Sequence, residues 1–326
     1  MYSLKELQEL IHTRIENLQT GGEPKALYEP IQYVLSLGGK RIRPALCLLS
    51  YQLFNSSEPD DSIIYPAIAL EVFHNFTLLH DDVMDDADMR RSMPTVHKKW
   101  NTNTAILSGD AMMIKAYQYM AMCPGKFMPE VMKEFNDLAL GVCEGQQYDM
   151  DFETRNDVTV DEYLEMIRLK TSVLIAGSLK IGAVIGGASE RDKGLLYDFG
   201  ENIGIAFQLR DDYLDTYGDP AVFGKNIGGD IVNNKKTFLL LKAMQKAQGH
   251  VKDELEMWLK TTDGDDGKKI EAVRDIYDEL GIPALSQALM NDYFERSMKA
   301  LDEVKADDDL KADLKQFAVN LIDRVK

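Results

Sequence analysis

Two acidic runs, far apart in the chain and alike in pattern, carry the residue types best suited to chemistry. The first is His80-Asp81-Asp82-Val83-Met84-Asp85-Asp86, and the second is Gln208-Leu209-Arg210-Asp211-Asp212-Tyr213-Leu214-Asp215. In each run two aspartates lie four residues apart, Asp81 with Asp85 and Asp211 with Asp215, so on a helix they stack on one face. Like charges at that spacing destabilise a helix unless something cationic sits between them. Hard carboxylate oxygens, with no cysteine and few histidines beside them, favour Mg²⁺ over zinc. Mg²⁺ in turn binds through one or two carboxylates plus substrate phosphates. Two facing pairs, completed by Asp82 and Asp212, would hold a Mg²⁺-diphosphate. Other acidic clusters serve as controls: Asp60-Asp61, Asp263 to Asp266 and Asp307 to Asp309 sit among Gly, Ser, Pro and Lys without aromatic neighbours, and read as loops or helix starts.

Three basic clusters break the acidic background: Gly38-Gly39-Lys40-Arg41-Ile42-Arg43-Pro44, Arg90-Arg91, and Lys225 with Lys235 around Gly228-Gly229-Asp230. Glycine lets backbone approach an anion, and an arginine fork bonds phosphate oxygens bidentately. A metal-free diphosphate site has this composition. Gly38-Gly39-Lys40 lacks the spacing of a P-loop and follows no strand signal. His74 stands seven residues before Asp81, near the same helix face. His80, directly before Asp81, opens a competing reading as a His-Asp metal phosphohydrolase, which would need further histidines than the five in the chain.

The elements that must position these residues are helical. Ser3 with Glu6 forms a capping box ahead of Leu4, Leu7, Leu10, Ile11, Ile15 and Leu18, and Gly21-Gly22 stops that run. Apolar periodicity predicts further helices at about 25 to 37, 44 to 54, 62 to 88, 101 to 121, 129 to 150, 159 to 187 and 190 to 217, with four or five shorter ones after Lys235. No strand or hairpin signal stands out. The expected architecture is all-α, one domain over 1–326, with long helices around a common interior.

Composition narrows the class. Hydrophobic residues at 45% and charged residues at 28% are ordinary globular values, and a net charge of −17 argues against nucleic-acid binding. Cys47, Cys123 and Cys143 lack metal-like spacing and fit a reducing cytoplasm. Neither a signal-peptide core nor an uninterrupted run of eighteen or more apolar residues is present, so no transmembrane segment is expected. His97 and Trp100 read as packing residues.

Together these motifs resemble the trans-type polyprenyl diphosphate synthase family, which includes farnesyl and geranylgeranyl diphosphate synthases. The likeness covers Gly38 to Pro44, His74, the first motif through Arg91, Lys170-Thr171, Phe207-Gln208 with the second motif, and Phe223-Gly224-Lys225 through Gly229-Asp230. It implies an isoprenoid synthase-like bundle around a central apolar cavity, and condensation of isopentenyl diphosphate with an allylic diphosphate (dimethylallyl, geranyl or farnesyl). By the resemblance, Asp81, Asp85 and Asp211 would carry a set of three Mg²⁺ ions, with Asp82, Asp212 and Asp215 completing the shells. Arg90, Lys170, Lys225 and Lys235 would contact the allylic diphosphate. Lys40, Arg43, His74 and Arg91 would hold that of isopentenyl diphosphate. A homodimer is also implied. Two departures stand out: Ser92, where the family usually has glycine, and Asn233-Asn234-Lys235, where Glu-Gly-Lys is common.

The chemistry accounts for the residue types. Breaking an allylic carbon–oxygen bond leaves a diphosphate anion, which metal ions, Lys and Arg stabilise, and an allylic cation, for which Thr171 and Gln208 offer oxygen dipoles. Phe76, five residues before Asp81, and Thr77, one turn before it, lie where a growing tail would pass. By the resemblance, an aromatic ring at Phe76 with a smaller residue after it implies a short product of about fifteen to twenty carbons, with Phe73 or the stretch near Leu107 as other candidate stops. Two further readings remain: a terpene cyclase, against which Lys40, Arg43 and the second motif count, and an inactive partner subunit, which should have lost aspartates that are intact here.

Overall fold

The Ser3 hydroxyl accepts from the Glu6 N–H while the Glu6 carboxylate accepts from Ser3 N at 2.8 Å, the reciprocal box that opens α1 (Leu4–Glu16). Leu7, Ile11 and Ile15 form its buried face. The computed structural model describes residues 1–18, 20–219, 227–261 and 264–322. Within it follow α2 (Lys25–Ser36), α3 (Ile42–Gln52), α4 (Asp61–Met84), α5 (Val96–Lys99), α6 (Thr102–Met120), α7 (Met128–Thr154), α8 (Val160–Ile167), α9 (Val173–Gly186) and α10 (Glu190–Tyr217). After a short turn, α11 (Gly229–Val232), come α12 (Phe238–Lys246), α13 (Gly249–Lys260), α14 (Asp266–Glu279), α15 (Ile282–Glu303) and α16 (Asp308–Ile322). The protein is all-α, as its periodicity predicts. The described control aspartates fall at helix starts: Asp60 caps α4, Asp265 caps α14, and Asp308 and Asp309 lie in the first turn of α16, while Asp263 lies outside the described residues. Beyond Lys235 there are five helices among the described residues, of which α15, with 22 residues, is not short.

Two expectations are corrected. The helix predicted to run to 88 ends at Met84, because Asp86 takes a left-handed φ of 49°. A small antiparallel ribbon follows, Met89–Arg90 (β1) with Met93–Pro94 (β2), where no strand was expected. Arg91 and Ser92 form its two-residue loop with φ of 52° and 62°, the pair of positive values that primed hairpin turns require. A two-residue strand is too short to show alternation. The stretch 159 to 187 is helical but not uniformly α: a π-turn at Arg168–Ser172 joins α8 to α9. Such turns widen the backbone spacing and often mark functional positions.

The chain forms two compact units, one of Met1–Asn136, Gly177–Leu196 and Lys305–Leu314, the other of the remainder. In the first, Gly182 lets α9 approach α3, since a Cβ there would meet the Cys47 carbonyl oxygen at 2.0 Å, and Ser50 Oγ donates to Leu179 O at 2.6 Å. In the second, Tyr163, Ile167, Ile205, Leu209, Phe238 and Leu241 belong to one buried cluster behind the second acidic motif. Each fully buried large apolar side chain contributes roughly 1.5–3 kcal/mol relative to exposure. Among the described residues two segments are long and apolar enough to cross a membrane, Asp61–Met84 and Val160–Gly186, but 72% and 78% of their apolar windows are buried within the protein.

Candidate active site

The first acidic motif occupies the C-terminal end of α4. Asp81 and Asp82 lie in its last turn and Asp85 is the C-cap, its N–H bonded to Asp81 O at 2.9 Å, so the pair still shares a side although the helix stops between them. Asp82 is buried. Arg90, from β1, donates Nε to both Asp82 oxygens at 2.8 and 2.9 Å, and its Nη2 lies 2.7 Å from Asp82 Oδ1 and 3.8 Å from Asp81 Oδ2. The hairpin exists to bring this arginine, and Arg91 beside it, back to the helix it follows. Arg91 Nη1 donates to the Gly38 carbonyl, and Gly39 has no Cβ because one would meet the Arg91 guanidinium at 2.8 Å.

Four arginines thereby gather around His74. Burial, then Arg43, Arg91, Arg90 and Arg41, hold its imidazole well below the ordinary histidine range, so it is neutral at pH 7 and can donate one N–H. Arg43 is brought down to about 10 by burial, countered by Glu71 and reinforced by Arg91, and its Nε is buried with no hydrogen-bond partner among the described residues. An anion fits a site of this kind. Arg41 differs from its neighbours: it pairs with buried Glu71 at 2.6 Å and donates to Leu35 O at 2.7 Å, while Asn75 Nδ2 donates to Glu71 Oε1 at 3.0 Å. That network holds the loop and leaves Lys40, exposed, free to extend from it.

Phe76 is buried against Phe73, with centroids 5.6 Å apart, and His80, at 4.8 Å; Thr77 Oγ1 donates to His74 O at 2.8 Å. His80 packs on α6, where its Nε2 meets Ile106 O at 3.1 Å and a Cβ at Gly109 would collide with its ring. This engagement turns one ring nitrogen of His80 toward α6. The His97 side chain is buried, with its Nε2 3.4 Å from Asp86 Oδ1. Trp100 does pack, edge-on against Tyr33 at 5.3 Å.

The second motif lies in α10. Asp212 is buried and accepts from Tyr163 Oη at 2.5 Å and from Gln208 Nε2 at 2.9 Å. Gln208 Oε1 in turn accepts from Thr171 Oγ1 at 3.1 Å. Burial raises Asp212 above the usual carboxylate range, against the opposing pull of Lys235 and its two donors. Thr171 and Lys170 sit on the π-turn, and Lys170 Nζ pairs with Asp149 of α7 at 2.5 Å. Asp215 Oδ2 accepts from Asp230 N at 2.9 Å. Burial and then Asp212 raise Asp230 to about 7, with Lys235 opposing and Asp215 and Asp149 adding. For Lys235, burial is outweighed by Asp212, Asp230, Asp149 and Asp215, so its pKa is raised. Its side chain, 44% exposed, reaches Asp230 at 3.8 Å. Phe223, Gly224 and Lys225 lie outside the described residues.

Both sequence departures fall on left-handed backbone. Ser92 has φ 62° and Asn234 has φ 51°, conformations that glycine adopts without cost and asparagine tolerates. Asn234 also donates Nδ2 to Leu259 O at 3.0 Å, and Lys235 N bonds Asp230 O at 2.9 Å, so the turn that presents Lys235 survives the substitution.

Among the described residues no three carboxylate, imidazole or thiol groups converge closely enough to hold a metal by themselves. Each set of donors, the carboxylates at the end of α4 and those along α10, suits an ion that takes its remaining oxygens from a phosphate.

A family model, Polyprenyl synthetase, matches residues 24–279. The chain belongs to the polyprenyl synthetase family. A short chain isoprenyl diphosphate synthase of Methanothermobacter thermautotrophicus is 35% identical over 306 residues, 94% of this chain and 93% of that one. Among solved structures, a geranylgeranyl pyrophosphate synthase aligns with TM-score 0.94 and 43% identity over 100% of both chains. The geranylgeranyl pyrophosphate synthase of Corynebacterium glutamicum, solved with isoprenyl diphosphate and magnesium, aligns with TM-score 0.87 and 27% identity over 99% of this chain and 100% of that one.

For a polyprenyl synthetase, the structure adds residues that motif reading missed. Asp149 and Tyr163 join Asp230, already part of the family likeness, beside the second motif, and Glu71 with Asn75 braces the basic loop. Asp149 and Tyr163 carried no usable signal, because each lies far along the chain from the group it holds.

Proposed function

We propose that this protein is a trans-prenyl diphosphate synthase that joins isopentenyl diphosphate to an allylic diphosphate and yields a product of about fifteen to twenty carbons. The observation that carries the reading is an acidic helix face with an anchored cation beside it, present twice: Arg90 at Asp81 and Asp82, and Lys235 at Asp230 next to Asp215. We take residues 1–326 as one functional domain in which both motifs serve one reaction. When bound, Mg²⁺ would supply positive charge against the diphosphate as its carbon–oxygen bond breaks.

Asp81, Asp85 and Asp211 would hold the metal ions, three in number by family resemblance, with Asp82, Asp212 and Asp215 completing the shells. Arg90, Lys170, Lys225 and Lys235 would bind the allylic diphosphate, while Lys40, Arg43, Arg91 and neutral His74 would bind the second diphosphate. Negative charge arriving there relieves the repulsion between Arg43 and Arg91. Thr171 Oγ1 and Gln208 Oε1 would face the allylic cation with oxygen dipoles, and Phe76 would stop the growing tail. The isopentenyl double bond attacks the cation, and proton loss to the departing diphosphate restores an allylic product. No side-chain nucleophile is needed. The fold neither requires a membrane nor carries the basic surplus of a nucleic-acid binder, and we place it in the cytoplasm.

Separate titrations of the two substrates test the assignment. Arg91→Ala and Lys40→Ala should chiefly raise KM for isopentenyl diphosphate, and Lys225→Ala that for the allylic substrate. Asp81→Ala or Asp211→Ala should lose about two to three orders of magnitude in turnover. Near-normal turnover in either aspartate variant would sink the two-motif mechanism.

A further inference from the structure

The turn that presents Lys235 leans on a pair of helices. Ile231 of α11 is buried in one cluster with Leu255 of α13 and Val273 and Ile276 of α14, and Gly228 lies so close to α14 that a Cβ would meet Ile270 Cδ1 at 2.5 Å. Beside this apolar contact sits a lysine. Lys269, near the start of α14, is 5% exposed, whereas the side chain of its neighbour Lys268 is exposed. Its Nζ donates to the carbonyl of Val232, the last residue of α11, at 3.1 Å and to that of Thr261, the C-cap of α13, at 3.4 Å. The last carbonyls of a helix lack an intrahelical donor and favour a cation, so one ammonium satisfies two helix ends that an apolar side chain would leave without that donor.

We propose that Lys269 is a positioning residue for Lys235, holding the α11 turn so that the Lys235 ammonium stands beside Asp230 before a diphosphate arrives. The inference rests on the reading of Lys235 as a ligand of the allylic diphosphate. Lys269 fixes a carbonyl at Val232, and Asn234 fixes the residue next to Lys235, since its Nδ2 donates to Leu259 O at 3.0 Å. Both bonds reach the end of α13. Lys235 N then closes the turn on Asp230 O at 2.9 Å, and Asp230 N is bound in turn to Asp215 Oδ2 at 2.9 Å. The turn is thereby pinned to the corner of α13 and α14 on one side and to α10 on the other.

A lysine is a point charge on a flexible stem, so its aim depends on how firmly its backbone is held. Loosening the turn spreads the ammonium over many positions, and a diphosphate must then gather it at a cost in affinity. That cost falls on one substrate. The basic cluster around His74 shares no residue with this turn, so binding of isopentenyl diphosphate should not change.

The test compares Lys269→Met, which keeps the apolar stem and removes the donor, with Lys311→Met in the full-length protein. Lys311 is the control, because it is 4% exposed and pairs with Asp308 at 3.0 Å but lies in α16. Both variants should lose thermal stability, as any buried lysine stripped of its bonds would. Only Lys269→Met should raise the allylic KM, about fivefold, with kcat and the KM for isopentenyl diphosphate within about twofold of wild type. Hydrogen exchange of the backbone amides of 229 to 235 should quicken about tenfold in Lys269→Met and stay unchanged in Lys311→Met. In a Lys235→Ala background, Lys269→Met should add less than about twofold to the allylic KM. If Lys269→Met fails to fold, Asn234→Gly, which removes the bond to Leu259, must raise the allylic KM and the amide exchange in the same direction. An unchanged allylic KM in folded Lys269→Met, an equal rise in Lys311→Met, or a fully multiplicative loss with Lys235→Ala would overturn the proposal. A normal allylic KM in Lys235→Ala itself would instead defeat the reading of Lys235 as a ligand, and amide exchange would still decide whether Lys269 holds the turn.

Discussion

Lys170 Nζ lies 2.5 Å from Asp149 Oδ2, an ion pair that closes where α7 meets the π-turn. Gly145 permits that approach, since a Cβ there would meet Lys170 N at 2.3 Å. The two residues therefore fail differently when changed. Asp149→Asn should leave thermal stability nearly unchanged and lower kcat/KM for the allylic substrate about tenfold, because Lys170 keeps its charge and loses its anchor. Gly145→Ala should lower both activity and stability, the latter by about 1–3 kcal/mol, because backbone must move. Thermal melts beside kinetics check the contrast; equal stability losses would mean that Asp149 only packs.

Left-handed backbone at Ser92 and Asn234 predicts opposite sizes of effect for the same substitution. Ser92→Gly should stabilise by about 1 kcal/mol, since a non-glycine residue in that conformation costs roughly 1–2 kcal/mol. Asn234→Gly should gain less or lose, because Asn234 Nδ2 bonds Leu259 O. Denaturant midpoints of both variants provide the comparison.

Phe76→Ala should shift the product distribution to longer chains while appreciable activity remains. The side chain is 8% exposed, so the variant should also lose about 3–5 kcal/mol of stability, and Phe76→Leu serves as a milder companion. Chromatography of dephosphorylated products decides it. An unchanged length distribution in an active variant would transfer the stop to Phe73 or to the stretch near Leu107.

A homodimer, the assembly we propose, has a candidate surface on α6, where Ile106, Leu107 and Ile114 are 41%, 60% and 57% exposed. Leu107→Glu with Ile114→Glu should yield a monomer by light scattering, because two charges would enter a desolvated patch. A dimer that survives both changes would rule this face out.

Much of this was legible in the residues themselves. Ser3 with Glu6 announced the first helix, and apolar periodicity outlined α2 to α4, α6, α7 and α10 to within a few residues, gave α8 and α9 as one run, and did not mark the four-residue α5. The motif order and spacing pointed to the family before any contact was known. What escaped had a physical reason in each case. The hairpin at Met89 to Pro94 is set by two positive φ values, which Arg91 and Ser92 do not advertise as glycine would. The π-turn at Arg168 to Ser172 lies inside a continuous helical pattern. Burial separates Asp82 from Asp81 and Asp212 from Asp211, yet adjacent identical residues look alike in a sequence. The roles of Arg41 and His80 were decided by Glu71 and Gly109, partners about thirty residues away in the chain.

The most direct measurement is incubation of the purified chain with isopentenyl diphosphate, Mg²⁺ and, in turn, dimethylallyl, geranyl and farnesyl diphosphate, followed by product analysis. The account predicts linear all-trans prenyl diphosphates of about fifteen to twenty carbons, release of inorganic diphosphate at each condensation, and loss of both when the metal is chelated. Absence of elongation with every primer, or conversion of the allylic substrate alone into a cyclised hydrocarbon, would contradict it.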